Sequence, residues 1–562
     1  MDRTALLRAV TLGTAAALAV VAFGLLLRGE GTEAISLIQA IAVLVATFWL
    51  AFGTVLVVLG LVSRPAPRPE ADFRGRAVLL IPVYNENPAD IFARIAAMDS
   101  DLHLAGLWRR VDIAVLSDTR NEDLADQEER LFLRLLVETS GEGRLFYRRR
   151  TSNRGRKAGN IEDFIRRSGG AYDYAVILDA DSLMTADTIG RMLRRMEAEP
   201  RLGLLQTAPS IIGAQSRFGR MMAFAGAFHG PVFARGLARL QGRAGPFWGH
   251  NAAVRVRAFA ESCGLPELSG PPPFGGHVLS HDYVEAALLA RAGWTVRLDP
   301  DLGGSYEEGP ENILSHAKRD RRWCQGNLQH LRILMAPGLH PWSRFVFAQG
   351  IFAYFVPVLW LSFVLLGLAG GSQTQGTLGL AVLVLVLLLL PKLLVAATVG
   401  GRVGRFGGWP LALASVVAET LQSSFVAPVL LMFQARSVLQ VVMGRDGGWP
   451  AQTRGDGALG WADGWRAGWW ITLWGLGLLL AAWSLAVHLL PWLLPLAGPM
   501  VLAPLIITWT SRPARSRLFT TPEELSVPTV IRRAATERAR WSAPDRLPFL
   551  RSTAKAKRAH HA

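Results

Sequence analysis

The distribution of apolar residues constrains this chain more than any other feature. Long, nearly uncharged runs at about 6–28, 36–62, 343–369, 376–399, 409–434, 468–490 and 491–510 bracket one interval, about 64–340, of ordinary soluble composition. Most of these runs reach the ~20 residues a helix needs to cross a bilayer core. A chain of 562 residues that is 51% hydrophobic and holds 18 Trp is too apolar to be explained by soluble domains alone. The expectation is a polytopic α-helical membrane protein with one large domain outside the bilayer.

The first run follows Arg3 and Arg8, as a cleaved signal peptide would. It is long, lacks a convincing cleavage site and is followed at once by a second run, so it reads as a retained span. Cys263 and Cys324 are the only cysteines, which excludes a disulfide framework and a cysteine zinc cluster.

Charge sets the orientation. Arg64 and Arg68 before the soluble interval, and Lys318, Arg319, Arg321 and Arg322 near its end, assign it to the cytoplasm. The tail 511–562 has twelve Lys/Arg against four Asp/Glu, a net +8 of the chain's +16, and is expected on the same side. An even number of spans must then follow the domain. Five runs compete for those places, and 409–434 is the odd one because it contains Glu419, Gln422, Ser423 and Ser424. It reads as an interfacial or re-entrant helix extending to about 443. Two spans (1–63) then precede a 64–340 domain and four follow within 341–510, with seven or eight in all as the competing count. The basic balance is no signal for nucleic acid, since no aromatic residues interleave with the charges on a soluble face. A basic tail beside a membrane helix more often tracks anionic lipid.

Within 64–340 apolar strands alternate with amphipathic stretches. Residues 76–84, 111–118, 143–149, 174–181 and 202–207 read as strands, and 89–98, 121–138, 158–168 and 185–197 as helices. Nearly continuous Val, Ile and Leu implies strands buried on both faces, hence a mostly parallel α/β sheet. Ligands of such sheets sit beyond the carboxyl ends of the strands. Those ends read PVYNEN (82–87), SDT (117–119) and DADS (179–182), with SHDYVEAALLARAGW (280–294) later. A single acid at a strand end is usually a helix cap. Glu86, Asp118, Asp179 and Asp181 converging on one edge call for another explanation. Asp179 and Asp181, one residue apart, suit Mg²⁺ or Mn²⁺, which are content with one or two carboxylates plus substrate phosphate.

Taken together, IPVYNE, LSD, GRKAGN (155–160), LDADS, SHD and KRDRRWCQGN (318–327) resemble processive family 2 glycosyltransferases of the GT-A, Rossmann-like fold, relatives of cellulose synthase. FWGHN (247–251), GSYEEGPEN (304–312) and RDRRWCQGNLQH (319–330) resemble more narrowly the glucosyltransferase H branch, which serves periplasmic glucan synthesis. The resemblance implies an inverting inner-membrane glucosyltransferase that takes UDP-glucose and a growing β-glucan, expected to be β-1,2-linked, and exports the product toward a periplasmic glucan-processing protein.

It also implies roles. Tyr84, Glu86 and Asp118 would hold UDP, Lys157 and Arg322 its diphosphate, and Asp179 and Asp181 the metal, with Asp181 the more direct ligand. Asp282 would be the general base, although an acid there is also an ordinary first-turn residue. His281 would support it, where relatives carry Glu. Trp323, His250 and Arg319 would meet the acceptor, Arg319 standing where related synthases have Gln. GWPAQTRGD (448–456), within a loop assigned to 444–467, resembles a gating loop in position, with Trp449, Gln452 and Arg454 closing over the donor. The basic run Arg148–Arg156 reads equally as a solvated surface. Three rivals remain: a cellulose- or hyaluronan-type synthase, a lipid-phosphate sugar transferase, and a transporter with a nucleotide-sugar-sensing domain.

Overall fold

Alternation within the strands explains how the sheet is covered. In the computed structural model, which describes residues 3–30, 33–64, 67–370, 374–447 and 457–542, the strand Ala77–Val83 sends Leu79, Ile81 and Val83 to one core and Val78 and Leu80 to another. Side chains alternate with a period of two, so a strand buried on both faces must be apolar throughout. The first core is closed by helices Pro88–Leu104 and Ala186–Ala198, the second by Arg156–Ser168 and His281–Arg291.

The sheet has seven strands in the order 295–298, 202–206, 252–255, 174–177, 77–83, 111–117, 145–149. All pairings are parallel except those of Ala252–Arg255, antiparallel to both neighbours. The strands and helices expected from the sequence all form, and the GT-A-type α/β domain stands. Thr295–Leu298 and the antiparallel strand were not foreseen. Helix starts follow directly from the strand-end loops, because Asn87, Asn121, Thr185 and Asn312 each accept a backbone N–H of the helix that follows.

By length and composition, six helices among the described residues could cross a membrane: Arg3–Glu30, Ala34–Val62, Pro341–Gly370, Thr374–Thr398, Trp409–Val442 and Trp461–Leu485. A further pair, Val487–Val501 and Ala503–Ser511, is bent by 58°. Helix Trp461–Leu485 begins seven residues earlier than the run 468–490, so residues 461–467 are helical rather than loop. Asp463 explains the early start, accepting the Gly460 N–H at the helix N-terminus.

Helix Trp409–Val442 touches the 64–340 domain in two places. Gln422 Nε2 donates to the Arg217 carbonyl at 3.2 Å, and Arg321 Nε donates to Gln440 Oε1 at 3.3 Å. Its polar residues are satisfied internally, Glu419 by Lys392 at 2.6 Å. Helix Thr529–Trp541 packs against Pro88–Leu104 and buries Trp541 in a stack on Phe92.

Helix Gly230–Gln241 of the domain meets the second helix, Ala34–Val62, through small residues. A Cβ on Gly236 would lie 2.0 Å from the Leu56 carbonyl oxygen, and one on Gly60 would lie 1.9 Å from that of Val232. Backbone cannot yield as a flexible side chain can. Gly236→Val is therefore expected to cost more than the ~1–3 kcal/mol typical of overpacking, read as a lowered melting midpoint of the full-length protein in detergent. An unchanged midpoint would mean the two helices are not in contact.

Candidate active site

The strand-end loops are tied together before any ligand is considered. Asn85 adopts a left-handed φ of 55°, which Asn tolerates. Its N–H donates to Thr119 Oγ1 at 3.0 Å, and its Oδ1 accepts the N–H groups of Arg120 and Asn121. This joins the loop after the first strand to the loop after the second. Glu86 braces its own loop, its Oε2 accepting the Tyr84 N–H at 2.6 Å.

Asp118 is buried and held by a bidentate guanidinium. Arg150 Nε and Nη2 donate to its two carboxylate oxygens, each at 2.7 Å. Arg150 directly follows the strand Leu145–Arg149 and so stands on the same sheet edge. The basic run Arg148–Arg156, which reads equally as a solvated surface, is solvated only in part: Arg149 and Arg154 are exposed, whereas Arg148 pairs with Asp163 at 2.7 Å and Arg156 is half-buried near Tyr84 and Asp446. Arg150 carries the signal that could have found it, since it occupies a strand end as the predicted acids do.

A second set of contacts links the remaining acids. Lys157 Nζ pairs with Asp179 Oδ1 and donates to the Gly249 carbonyl at 2.7 Å. Gly249 has φ +87°, and a Cβ there would sit 3.3 Å from Asp282 Oδ2. Asp179, Lys157, Gly249 and Asp282 thus share one cleft. Burial pushes the Asp282 carboxyl above the ordinary aspartate range, with Glu285 adding repulsion while His281, the Tyr283 N–H and Lys157 oppose it. Burial opposes charge on His281 too, but Glu285, with Oε2 3.1 Å from its Nδ1, and Asp282 leave its pKa above that of ordinary histidine.

Opposite them lies a residue the sequence reading passed over. Glu307, on the strand Ser305–Glu308, has Oε2 3.3 Å from His250 Nε2. Burial raises its pKa, and the charges of Asp181 and Asp179 raise it further against His250 and Arg319. Glu307 therefore lies within reach of the charges of Asp179, Asp181 and Arg319. The Arg319 guanidinium also lies over the Trp323 ring, 4.4 Å from its centroid, and Trp323 is exposed. Arg322 is half-buried on the same helix, Ile313–Gln329. No group of three or more His, Cys, Asp or Glu among the described residues forms a ready metal cage. Asp179 and Asp181 remain the candidate pair.

Trp449, Gln452 and Arg454 lie outside the described residues. The segments flanking them are both fastened to helix Ile313–Gln329. Gln325 accepts the Gly447 N–H at 3.1 Å and donates to Asp446 at 2.7 Å, Arg321 Nη2 donates to the Arg445 carbonyl at 2.7 Å, and Asn312 donates to the Gly457 carbonyl at 2.9 Å. In the sequence Arg321 counts only toward the orienting charge and Gln325 looks like the rest of a polar helix, so neither stands out as a site residue.

Comparison with known proteins decides the family. The profile described as Glycosyl transferase family 2 matches residues 78–262, and that of Glycosyl transferase family group 2 matches 174–399. A protein of Cereibacter sphaeroides named glucans biosynthesis glucosyltransferase H is 55% identical over 93% of this chain and 93% of its own length. The chain belongs to the glucans biosynthesis glucosyltransferase H family. Relatives of the same name from Xanthomonas euvesicatoria and Caulobacter vibrioides are 40% and 39% identical, over 83% and 84% of this chain and 77% and 76% of theirs. Among solved structures, a mannosyltransferase from Pyrobaculum calidifontis in complex with GDP-Man and Mn²⁺ is 15% identical with a TM-score of 0.47, covering 73% of this chain and 100% of that one. As a member of the glucosyltransferase H family, the chain is a glycosyltransferase of glucan biosynthesis, with a nucleotide-sugar substrate and a glycan product.

The buried Arg150–Asp118 pair gives a direct test. Arg150→Met leaves a buried carboxylate without its partner and is expected to cost about 3–5 kcal/mol by denaturant unfolding. A loss below ~1 kcal/mol would show that the pair behaves as a surface contact.

Proposed function

We propose that this protein polymerises glucose from UDP-glucose into a β-glucan, β-1,2-linked, with inversion at the anomeric carbon and Asp282 as general base. The observation that carries the reading is the continuous set of contacts from Asp282 through Gly249 and Lys157 to Asp179. A proton acceptor and a diphosphate-binding cation thereby stand in the same cleft. Asp282 takes the proton of the acceptor hydroxyl as its oxygen attacks the anomeric carbon from the face opposite UDP. A raised carboxyl pKa makes it a stronger base than a solvated aspartate.

Asp118 accepts hydrogen bonds from the uracil and ribose end of UDP, with Arg150 orienting it. Lys157 shifts from Asp179 toward the diphosphate when the donor enters. The donor set fits a hard divalent ion, because Asp179 and Asp181 offer carboxylate oxygens one residue apart, with Glu307, whose pKa is raised first by burial and further by their charge, within reach of their field. Mg²⁺ or Mn²⁺ held there would offset the charge that develops on the leaving diphosphate. Trp323 offers its exposed face to an acceptor sugar.

The reading of the membrane part is likewise our own. Helix Trp409–Val442 lies along the membrane surface, supported by its contacts with the domain at Arg217 and again at Arg321. Five other long helices and the bent pair then make six crossings, two before the domain and four after it. That even number agrees with helix Thr529–Trp541 packing back on the catalytic domain. The domain and tail face the cytoplasm, and the bundle takes the glucan across the inner membrane.

Membranes holding the protein, given labelled UDP-glucose and Mg²⁺, should yield water-soluble product sensitive to β-glucanase, and Asp282→Asn should lower turnover by at least about 10²-fold. An organic-extractable glycolipid would favour lipid-phosphate transfer, and no product from the wild-type chain would favour a sensor-transporter.

The pH profile follows from the sign of the Asp282 shift. A base must be ionised, and its raised pKa moves the acidic limb of kcat/KM upward. Activity should fall on acidification with an apparent pKa above the ~3.9 of a free aspartate; a limb at or below that value would remove Asp282 from the role. Chelation should abolish turnover and added Mg²⁺ or Mn²⁺ should restore it, whereas full activity in excess chelator would rule out the ion.

A further inference from the structure

A cavity of about 670 Å³ opens where the first two apolar helices leave the domain, bounded by Thr4, by Ser63 and Arg64, and by helix Gly230–Gln241. Seven arginines line it against two acids, Glu199 and Asp301. Both acids are already engaged, Glu199 with Arg297 and Asp301 with Arg195, each at 2.6 Å. Arg68 reaches Asp299 at 3.5 Å.

The other five are Arg64, Arg201, Arg235, Arg239 and Arg243, and among the described residues none has a carboxylate within 4.0 Å. Among the described residues Arg235 donates to the Gly60 carbonyl at 3.3 Å, and Arg243 to Thr295 Oγ1 at 3.1 Å. Arg235 is half-buried, and burial works against its charge while Arg402 adds a like charge. Like charges gathered in a recess are costly unless an anion joins them.

Guanidinium forks match phosphate oxygens bidentately, so the chemistry called for is a phosphate group. The position of the cavity selects its carrier. Leu6, Val10, Val58 and Val62, 49%, 57%, 41% and 72% exposed, lie on the two helices whose ends form its wall. A phosphate bound here would have apolar surface beside it, as a lipid headgroup does and a free ion does not. Basic recesses at the cytoplasmic end of membrane helices bind headgroups on this principle.

We propose that this cavity holds the phosphate of an anionic phospholipid between Arg235, Arg239 and Arg243, with the acyl chains running along helices Arg3–Glu30 and Ala34–Val62. Such a lipid neutralises the recess and fastens the domain to the bilayer beside the Gly60–Gly236 contact. This goes beyond the catalytic reading, since no residue of the cleft takes part.

The test uses the full-length protein purified in a neutral detergent and titrated with phosphatidylglycerol, phosphatidylcholine or chain-free glycerol 1-phosphate, with bound molecules counted by native mass spectrometry. Phosphatidylglycerol should be retained at least tenfold more tightly than phosphatidylcholine. Arg239→Gln with Arg243→Gln should erase that preference. Both side chains are exposed and lack carboxylate partners, so an unchanged melting midpoint in neutral detergent verifies folding. Removing Arg166 and Arg167, which lie elsewhere on the domain, should leave the preference intact. Equal retention of the two lipids, equal retention by the cavity variant, or loss in the Arg166/Arg167 control would overturn the proposal. Glycerol 1-phosphate binding as tightly as the lipid would overturn it too, assigning the cavity to soluble phosphate.

Discussion

Carboxylates crowded at one edge of a sheet repel one another, and the catalytic cleft depends on the cations set among them. Arg150 clamps Asp118, Lys157 spans Asp179 and the Gly249 carbonyl, and Arg319 with His250 faces Glu307. Two of these cations sit where donor phosphates and nucleotide are expected. On the proposed function, a donor entering the cleft would exchange partners with these cations rather than fill a bare anionic hole.

The α/β domain was legible because its signal is periodic and local. Buried parallel strands must be apolar throughout, and Asn and Thr in the loops at their ends cap the helices that follow, so strand, loop and helix could be read in order. The antiparallel strand Ala252–Arg255 escaped, since AAVR carries neither length nor alternation. Its place in the sheet is fixed by two neighbours distant in sequence, Tyr174–Ile177 and Leu202–Gln206.

The site was legible to the degree that its residues stand at strand ends. Asp118, Asp179 and Asp181 do, and Arg150 does so too but is camouflaged by neighbouring arginines. Glu307 and Gln325 fall inside the quoted motifs GSYEEGPEN and KRDRRWCQGN, but nothing local separates them from their polar neighbours. One acquires its character from acids more than a hundred residues earlier, and the other from a segment more than a hundred residues later. Long-range pairing of this sort is invisible to periodicity. In helix Trp409–Val442, the polar residues that distinguished it from a plain span proved to be partnered by Lys392 and by the domain.

The burial of Trp541 bears on the order in which the protein is made. Trp541 and Val530 are 3% and 1% exposed in the same core as Leu79 and Ile81, although every long apolar helix after the domain is synthesised before them. Domains generally fold as they emerge, N-terminal parts first. Here the catalytic core stays unsealed until the last membrane helix has left the ribosome, so final closure of the enzyme is coupled to completed insertion, and a chain stalled partway through its bundle lacks a finished domain.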